Sequence, residues 1–357
     1  MRILLDILTP KQCRFFSVLG RKLEGKGFEV YKTARIFREV VELLELLGEE
    51  AHLTGRYGGA TLEGKLEASL ERMIELKKVF QKIKPDLVIS FSSPEASRVA
   101  FGLNIPHVAV SDSPHSTAVS KLSIPLSRIL FTPWIIPKSA WTIYGIERSK
   151  IFKYRALDPA AWLKDFRPNL DIVASLGLSK EKPIVVFRLE ESQASYILGM
   201  GGLVEQTALK AIQMFDIQAV IMPRYEEQMR KILEKFGGKS LVLEKTIDAV
   251  NLLYHAAVFV GGGGTMNSEA ALLGVPTISC YPGEDTYVEK YLMSRGLLRK
   301  VHDSEEALKF IQTFLESRVR ANFKRKAKEI LASMINPAEF IAEKITEIFS
   351  RGTSFQV

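Results

Sequence analysis

The chain has 357 residues, of which 46% are hydrophobic and 25% charged, and a formal net charge of +8. That length suits two domains of ordinary size, and the composition excludes a disordered or fibrous chain. The two cysteines, Cys13 and Cys280, exclude a disulfide framework or a cysteine zinc site and fit a reducing cytoplasm, while the basic balance favours anionic partners without choosing among them.

The run Met1 to Leu8 is apolar but broken by Asp6. It reads as a buried first strand, not as a signal peptide. A helix is expected over Lys11 to Glu24, with Phe15, Phe16, Leu19 and Leu23 at helical spacing and Gly25 and Gly27 behind it. Phe28 to Tyr31 resumes as a strand, Phe37 to Leu47 as a helix and Ala51 to Leu53 as a weak strand. Leu62 to Ile83 is a long amphipathic helix closed by Pro85. A strand at Asp86 to Phe91, a helix at Pro94 to Phe101 and a strand at His107 to Val110 follow. This alternation predicts an α/β fold, a parallel sheet with helices on both faces. The apolar segment Ile129 to Ile136 admits two readings, buried core or a surface for membrane or lipid, and core is favoured. Pro125, Arg128, Pro133, Pro137 and Lys138 interrupt the run around it, so stable membrane insertion is not expected.

The second half repeats the pattern. Strands are expected at Pro183 to Phe187, Ala219 to Met222, Ser240 to Leu243, Ala257 to Val260 and Pro276 to Cys280. Helices are expected at Val204 to Met214, Tyr225 to Phe236 and Thr265 to Leu273. Pro159, Pro168 and the polar run Ser179 to Lys182 place the joint between Leu157 and Lys182. The expected domains are residues 1–165, 166–335 and a last helical segment, 336–357, set off by Asn336-Pro337 and crossing back to the first domain. The basic residues from Arg318 to Lys328 crowd one helix, read as a solvated face; no nucleic-acid partner is expected.

The sharpest signal is the run Gly261-Gly262-Gly263-Gly264-Thr265, where a buried strand enters a helix. Glycines bring bare N–H groups close to a ligand, and a helix start adds unpaired donors and a positive dipole end, which together suit phosphate. Four glycines exceed what a turn needs, so phosphate binding is favoured over a plain tight turn. Thr265 is placed to cap the helix or donate its hydroxyl, and Glu269 lies one turn in, within reach of a sugar diol. No Gly-Lys-Ser/Thr follows and the loop sits late in its domain, so it is neither a Walker loop nor a dinucleotide fingerprint. In open α/β sheets ligands sit beyond the carboxyl ends of strands, which points to Lys11, Gln12, Ser92, Ser93, Glu95, Asp112 and His115. His115 suits a general base oriented by Asp112; a turn in which Asp112 bonds its own backbone is an equal alternative.

The glycine loop, the Glu one turn later and Ala271-Leu272-Leu273-Gly274-Val275-Pro276 resemble the nucleotide-sugar site of glycosyltransferase-B-type proteins. UDP-N-acetylglucosamine 2-epimerases and the lipid-linked N-acetylglucosaminyl transferases share that architecture. Through Asp6 to Gln12, Ser92 to Ala96, Asp112 to His115, Ala156 to Leu163, Arg188 to Glu191 and the glycine loop, the chain is also similar to a mostly archaeal family catalogued as a domain of unknown function. The resemblance implies two Rossmann-like domains facing a cleft. It implies that Gly262, Gly263, Gly264 and Thr265 bind a diphosphate and that Glu269 holds ribose. Arg188 resembles the Arg of the epimerases' His-Arg-Arg-Glu-Asn motif, a phosphate contact, and Glu191 falls near that motif's Glu. Glu284 and Asp285 resemble the sugar-contacting pair of the transferases. Ser92 and Ser93 stand where the epimerases place an Asp, Ser111 and Asp112 where they place a Glu, and Phe187 replaces the motif His, so groups that epimerisation needs are missing. The expectation is a cytoplasmic glycosyltransferase-like protein with catalytic His115 and Asp112. It would take a UDP-sugar-type donor in the interdomain cleft, use no cofactor or metal, and act on an unidentified acceptor, saccharide and lipid-linked ones among the candidates. The alternatives are a nucleotide-sugar epimerase or hydrolase, or a non-catalytic binding protein.

Overall fold

Short apolar runs buried on both faces make every described strand parallel to its neighbours. The computed structural model describes residues 1–169, 171–191, 202–236 and 238–350. It divides into two units, Met1–Trp162 with the described residues from Met334 onward, and Leu163–Ser333 without the undescribed ones.

In the first unit β1 (Arg2–Ile7), β2 (Glu29–Ile36), β3 (His52–Arg56), β4 (Leu87–Ser90), β5 (His107–Val110), β6 (Ile129–Pro133) and β7 (Ile151–Tyr154) form one sheet in the order β3-β2-β1-β4-β5-β6-β7. Helices α1 (Pro10–Glu24), α2 (Arg38–Leu47), α3 (Leu62–Ile83) and α4 (Pro94–Gly102) join the first strands. One core layer packs Leu76 and Phe80 of α3 and Ala96 and Ala100 of α4 on Leu4 and Val88. The second unit holds β8 (Ile184–Arg188), β9 (Gln218–Met222), β10 (Leu241–Val242), β11 (Val258–Gly261), β12 (Thr277–Ser279) and β13 (Leu298–Lys300), in the order β10-β9-β8-β11-β12-β13. Its core sets Val186, Val220 and Phe259 against Leu252, Leu253 and Ala270. Strand order reverses at β1/β4 and at β8/β11, the places where a doubly wound sheet opens a crevice at its carboxyl edge.

All five residues of β6 are buried, so the apolar segment around it is core. Among the described residues no helix is long and apolar enough to cross a membrane. The stretch Ser240 to Leu243 forms only the two-residue edge strand β10. The helix Pro337–Ser350 belongs to the first unit, where Glu339 pairs with Lys22 of α1 at 2.7 Å and Asn336 Nδ2 donates to the Ala161 carbonyl at 3.1 Å. Residues 351–357 lie outside the described ones.

Asp6, the residue that breaks the apolar first strand, is fully buried. Its carboxylate accepts Arg72 Nη2 at 2.5 Å, Arg72 Nη1 at 3.1 Å and Thr33 Oγ1 at 2.7 Å. Burial works against its charge, but the Arg72 guanidinium outweighs burial and holds the carboxyl below its usual range. His107 of β5 is equally buried, with Ser90 Oγ at 2.8 Å from Nε2 and Ser127 Oγ at 2.9 Å from Nδ1. Burial pushes its pKa down to about 4 against the opposing pull of Asp6. The unfolded chain therefore takes up this proton near pH 6.5, where the folded chain does not. The stability tied to neutral His107 is complete above that pH and is lost as pH falls toward 4, about 3 kcal/mol in all. Urea unfolding of wild type and His107→Gln between pH 7.5 and pH 4 should show the wild type losing more by that amount; equal pH slopes would refute the assignment.

Candidate functional site

In the second unit, β11 ends at Gly261 and the helix Thr265–Leu272 begins after Gly264. Close packing dictates most of the glycines. A Cβ on Gly261 would collide with the Asn267 amide; one on Gly262 would lie 2.5 Å from Glu190 Cα; one on Gly263 would lie 2.6 Å from the Tyr281 ring. Gly263 and Gly264 also have φ of +98° and +89°, the left-handed region that side chains rarely adopt. This corrects the expectation that the glycines exceed what the fold needs, because backbone and side-chain neighbours already demand them. What stays open is the far end of the loop. Gly264 is exposed, and a Cβ there would meet only Arg224 Nη2, at 3.9 Å. Thr265 and Met266 are half-buried, and no hydrogen bond among the described residues uses the N–H of Gly264, Thr265 or Met266. Gly264 is itself the N-cap and Thr265 the first helical residue, with no side-chain cap, so Thr265 does not cap the helix as expected.

Arg224, just past β9, reaches this loop. Its Nε donates to the Leu189 carbonyl at 3.0 Å and its Nη2 to the Gly263 carbonyl at 3.4 Å. Arg188 lies elsewhere: it is buried, its Nη1 donates to the Pro223 carbonyl at 2.8 Å, and its own carbonyl accepts the Gly262 N–H at 3.0 Å. Arg188 thus braces β8 against the ends of β9 and β11, and Arg224 is an arginine whose guanidinium hydrogen-bonds the loop itself. Asn267, one turn into the helix, is buried, and neither atom of its amide has a hydrogen-bond partner among the described residues. Glu269 is buried on the same helix.

The other predicted residues of this unit gather at the same sheet edge. The Glu191 carboxylate accepts the Tyr225 hydroxyl, next to Arg224. Glu284 is exposed. Asp285 Oδ1 lies 2.7 Å from Lys300 Nζ, which also donates to the Gly283 carbonyl at 2.6 Å and stands 5.6 Å over the Tyr281 ring. Because that ring abuts both Gly263 and Gly283, Asp285 is held beside the glycine loop. Arg224, Asn267 and Tyr281 escaped the sequence reading; only the position of Arg224 and Tyr281 just past strand ends could have flagged them.

The first unit carries a second polar cluster. Lys11, in the first turn of α1, places Nζ 2.7 Å from Asp112 Oδ2 and 2.5 Å from Asp158 Oδ2. Asp158 Oδ1 accepts the Tyr154 hydroxyl at 2.5 Å, Asp112 accepts Ser113 Oγ at 2.8 Å, and the ammonium lies 5.0 Å over the Phe91 ring. One ammonium thus serves two carboxylates. Burial opposes the Lys11 charge, but the two acids outweigh it and raise its pKa. For Asp112 burial works upward, yet Lys11 prevails and holds the carboxyl down, with Ser113 and the charge of His115 assisting. For the fully buried Asp158, burial and the charge of Asp112 prevail over Lys11 and push it up. His115 is exposed. Nearby, Ser92 sits in the left-handed region at φ +50°, buried, with no hydrogen-bond partner for its Oγ among the described residues. Ser93 caps α4 by accepting the Ala96 N–H at 3.2 Å, and Glu95 lies 3.8 Å from Arg72. Lys11 and Asp112 were anticipated at the strand ends; Asp158 was not, because the strand before it, β7, was not anticipated.

The family described as protein of unknown function DUF354 matches residues 1–348, and the chain belongs to that family. An uncharacterized protein of Methanocaldococcus jannaschii is 31% identical over 318 residues, covering 88% of this chain and 92% of that one. Among solved structures, the UDP-GlcNAc 2-epimerase of the same organism, in complex with UDP-GlcNAc and UDP, matches with a TM-score of 0.73 at 18% identity, covering 98% of this chain and all of that one. The Neisseria meningitidis enzyme bound to UDP-GlcNAc gives 0.65 at 16%, covering 98% and 100%. The spinosyn forosaminyltransferase SpnP gives 0.65 at 15%, covering 98% and 99%. The fold is therefore the α/β glycosyltransferase-B type.

Two substitutions test these environments. Gly262→Ala should cost about 2–3 kcal/mol of stability, because backbone blocks the new methyl, and Gly264→Ala, at φ +89° and ψ −164°, about 1–3 kcal/mol of backbone strain alone; urea titrations showing Gly262→Ala as stable as wild type would overturn the packing account. Lys11→Met leaves two acids without their cation, so it should destabilise at pH 8 by about 3–5 kcal/mol. Part of that loss should return on acidification toward pH 5, as Asp158, already raised, takes up a proton; a loss independent of pH would show that the pair does not share the lysine's charge.

Proposed function

We propose that the chain binds a nucleotide sugar of the UDP type through its second unit and transfers the sugar to an acceptor hydroxyl. The observation that carries this is the open end of the glycine loop, with amides at Gly264, Thr265 and Met266 that no described residue uses at the start of a helix, and the Arg224 guanidinium fixed against it. Amide donors, dipole and guanidinium converge where a diphosphate would sit. The Asn267 amide, without a partner among the described residues, adds a donor and an acceptor whose burial unpaired costs about 1–3 kcal/mol. That the epimerase structures of like fold hold UDP-GlcNAc or UDP supports the donor class.

In this reading Gly262 and Gly263 shape the loop, and Gly264 and Thr265 contact the diphosphate. Arg224, with Arg188 bracing the strand ends, supplies its countercharge. Glu269 holds the ribose, and Glu191, Glu284 and Asp285 meet the sugar. When the acceptor oxygen bonds to the anomeric carbon, the bond from that carbon to the diphosphate breaks. The charge left on the departing phosphate is what the amides and Arg224 stabilise. Asp112, kept ionised by Lys11, takes the acceptor's proton, with His115 beside it as the alternate base. The acceptor is unidentified, saccharide and lipid-linked ones being the candidates.

Thermal unfolding with UDP and UDP-GlcNAc, against ADP and GDP, tests the donor site. The wild type should gain about 2–8 °C at saturating ligand, and Arg224→Ala, which also gives up the hydrogen bonds to the Leu189 and Gly263 carbonyls, should weaken binding roughly tenfold. No shift with any nucleotide or nucleotide sugar would overturn the reading.

A further inference from the structure

In the first unit α5 (Thr117–Ser123) reverses the usual placing of polar and apolar residues. Its serines face in: Ser120 and Ser123 are buried, and Ser123 Oγ donates to the Val119 carbonyl at 2.7 Å. Its aliphatic residues face out, Val119 at 39% and Leu122 at 59% exposure. A helix on a globular surface ordinarily does the opposite. The turn that follows the short helix Ser139–Thr142 touches the chain at both ends of α5. Tyr144 Oη donates to the Pro114 carbonyl at 2.7 Å ahead of the helix, and a Cβ on Gly145 would lie 3.8 Å from Pro125 Cβ behind it. That turn carries Ile143, at 75% the most exposed large hydrophobic side chain among the described residues.

The charge around these apolar tips has one sign. Residues 115–155 hold seven lysines and arginines against a single acid, Glu147, which is +6 of the chain's +8. Lys121, Lys138, Arg148, Lys150 and Lys153 have no carboxylate partner among the described residues. They also crowd one another. Lys138 Nζ donates to the Arg148 carbonyl at 2.9 Å, and burial followed by the charges of Lys138 and Arg148 holds the pKa of Lys153, on the edge strand β7, below its usual value. Repulsion of this kind is relieved by an anionic partner. The apolar tips say which one. At an anionic bilayer the headgroups meet the cations while Leu122 and Ile143 enter the acyl boundary. A nucleic acid would meet the cations and leave the aliphatic side chains in water.

We infer that the surface formed by α5, the Ile143 turn and the edge of β7 docks on an anionic lipid bilayer. The segment that leads into α5 carries Asp112 and His115, and Tyr144 ties that segment to the docking turn. Resting on the nucleotide-sugar reading, this position favours the lipid-linked of the two acceptor candidates; the docking itself does not depend on that reading.

Flotation of the full chain with phosphatidylcholine vesicles, with and without about 30% phosphatidylglycerol, tests the docking at about 0.1 M salt. Wild type should float with the anionic vesicles and stay behind with the neutral ones. Each cation near the leaflet strengthens binding roughly fivefold, so Arg148→Ala with Lys150→Ala should lower the partition constant about 25-fold. Leu122→Ser with Ile143→Ser should lower it about tenfold or more, with an unchanged circular dichroism spectrum because both side chains are exposed. A wild type that ignores anionic vesicles, or a Leu122/Ile143 variant that floats as wild type does, would overturn the inference. Duplex DNA bound equally by wild type and that variant, with the vesicles left unbound, would assign the cations to nucleic acid and overturn it as well. Vesicle binding without any nucleotide-induced melting shift would leave the docking standing and remove only the acceptor assignment.

Discussion

Parallel strands deliver their carboxyl ends to one edge, and that single constraint decides where polar chemistry can stand in this protein. Within each unit the strand interiors are sealed, so a charge there survives only with a partner. Asp6 meets this condition through Arg72, a residue 66 positions away in the chain. At the edge the same economy of partners recurs in looser form. Lys11 follows β1, Asp112 follows β5 and Asp158 follows β7, strands that are not neighbours in the sheet, so the segments beyond the strand ends reach across the shared carboxyl edge for the three to meet. In the second unit Arg224, Gly262 to Gly264 and Tyr281 follow β9, β11 and β12 and meet for the same reason.

The glycine loop shows how a packing requirement and a ligand requirement differ. At Gly262 and Gly263 the neighbours are protein atoms, Glu190 and Tyr281, and glycine is demanded with or without a ligand. Gly264 is demanded only by its φ of +89°, and it faces outward toward Arg224. The case for phosphate therefore rests on unused N–H groups and a fixed guanidinium, not on the number of glycines. The same distinction separates the two arginines: Arg188 spends its Nη1 on a backbone carbonyl and stiffens the scaffold, while Arg224 is anchored through Nε with its Nη2 at the loop.

The sequence made the alternation of strand and helix legible because apolar runs such as Leu87 to Ser90 and Val258 to Gly261 are bounded by glycine, proline or helix caps. β7 and β13 escaped because Ile151-Phe152-Lys153-Tyr154 and Leu298-Arg299-Lys300 carry charge near the ends of their sheets, where one face meets solvent. With β7 unseen, Asp158 had no strand end to belong to. The glycine loop was legible as a local string of residues. The arginine that completes it was marked only by its place just past β9, and the β8–β9 pairing is what sets it beside the loop.

The two buried acid clusters of the first unit argue for different roles. Asp6 has a bidentate guanidinium and a threonine hydroxyl, with Glu95 3.8 Å from the same guanidinium, and no solvent contact. Such an arrangement is closed: neither partner can give up a proton or accept a new ligand without leaving a buried charge uncompensated. The Lys11 cluster has one cation for two carboxylates, with Asp112 partly open to solvent and Asp158 sealed behind it. Its charge is unbalanced by one unit, which is why Asp112 and Asp158 are driven in opposite directions. A site that holds one acid ionised at its mouth and another inclined to keep a proton behind it has somewhere to put a proton arriving from outside, and an apolar or one-to-one arrangement of the same volume would not.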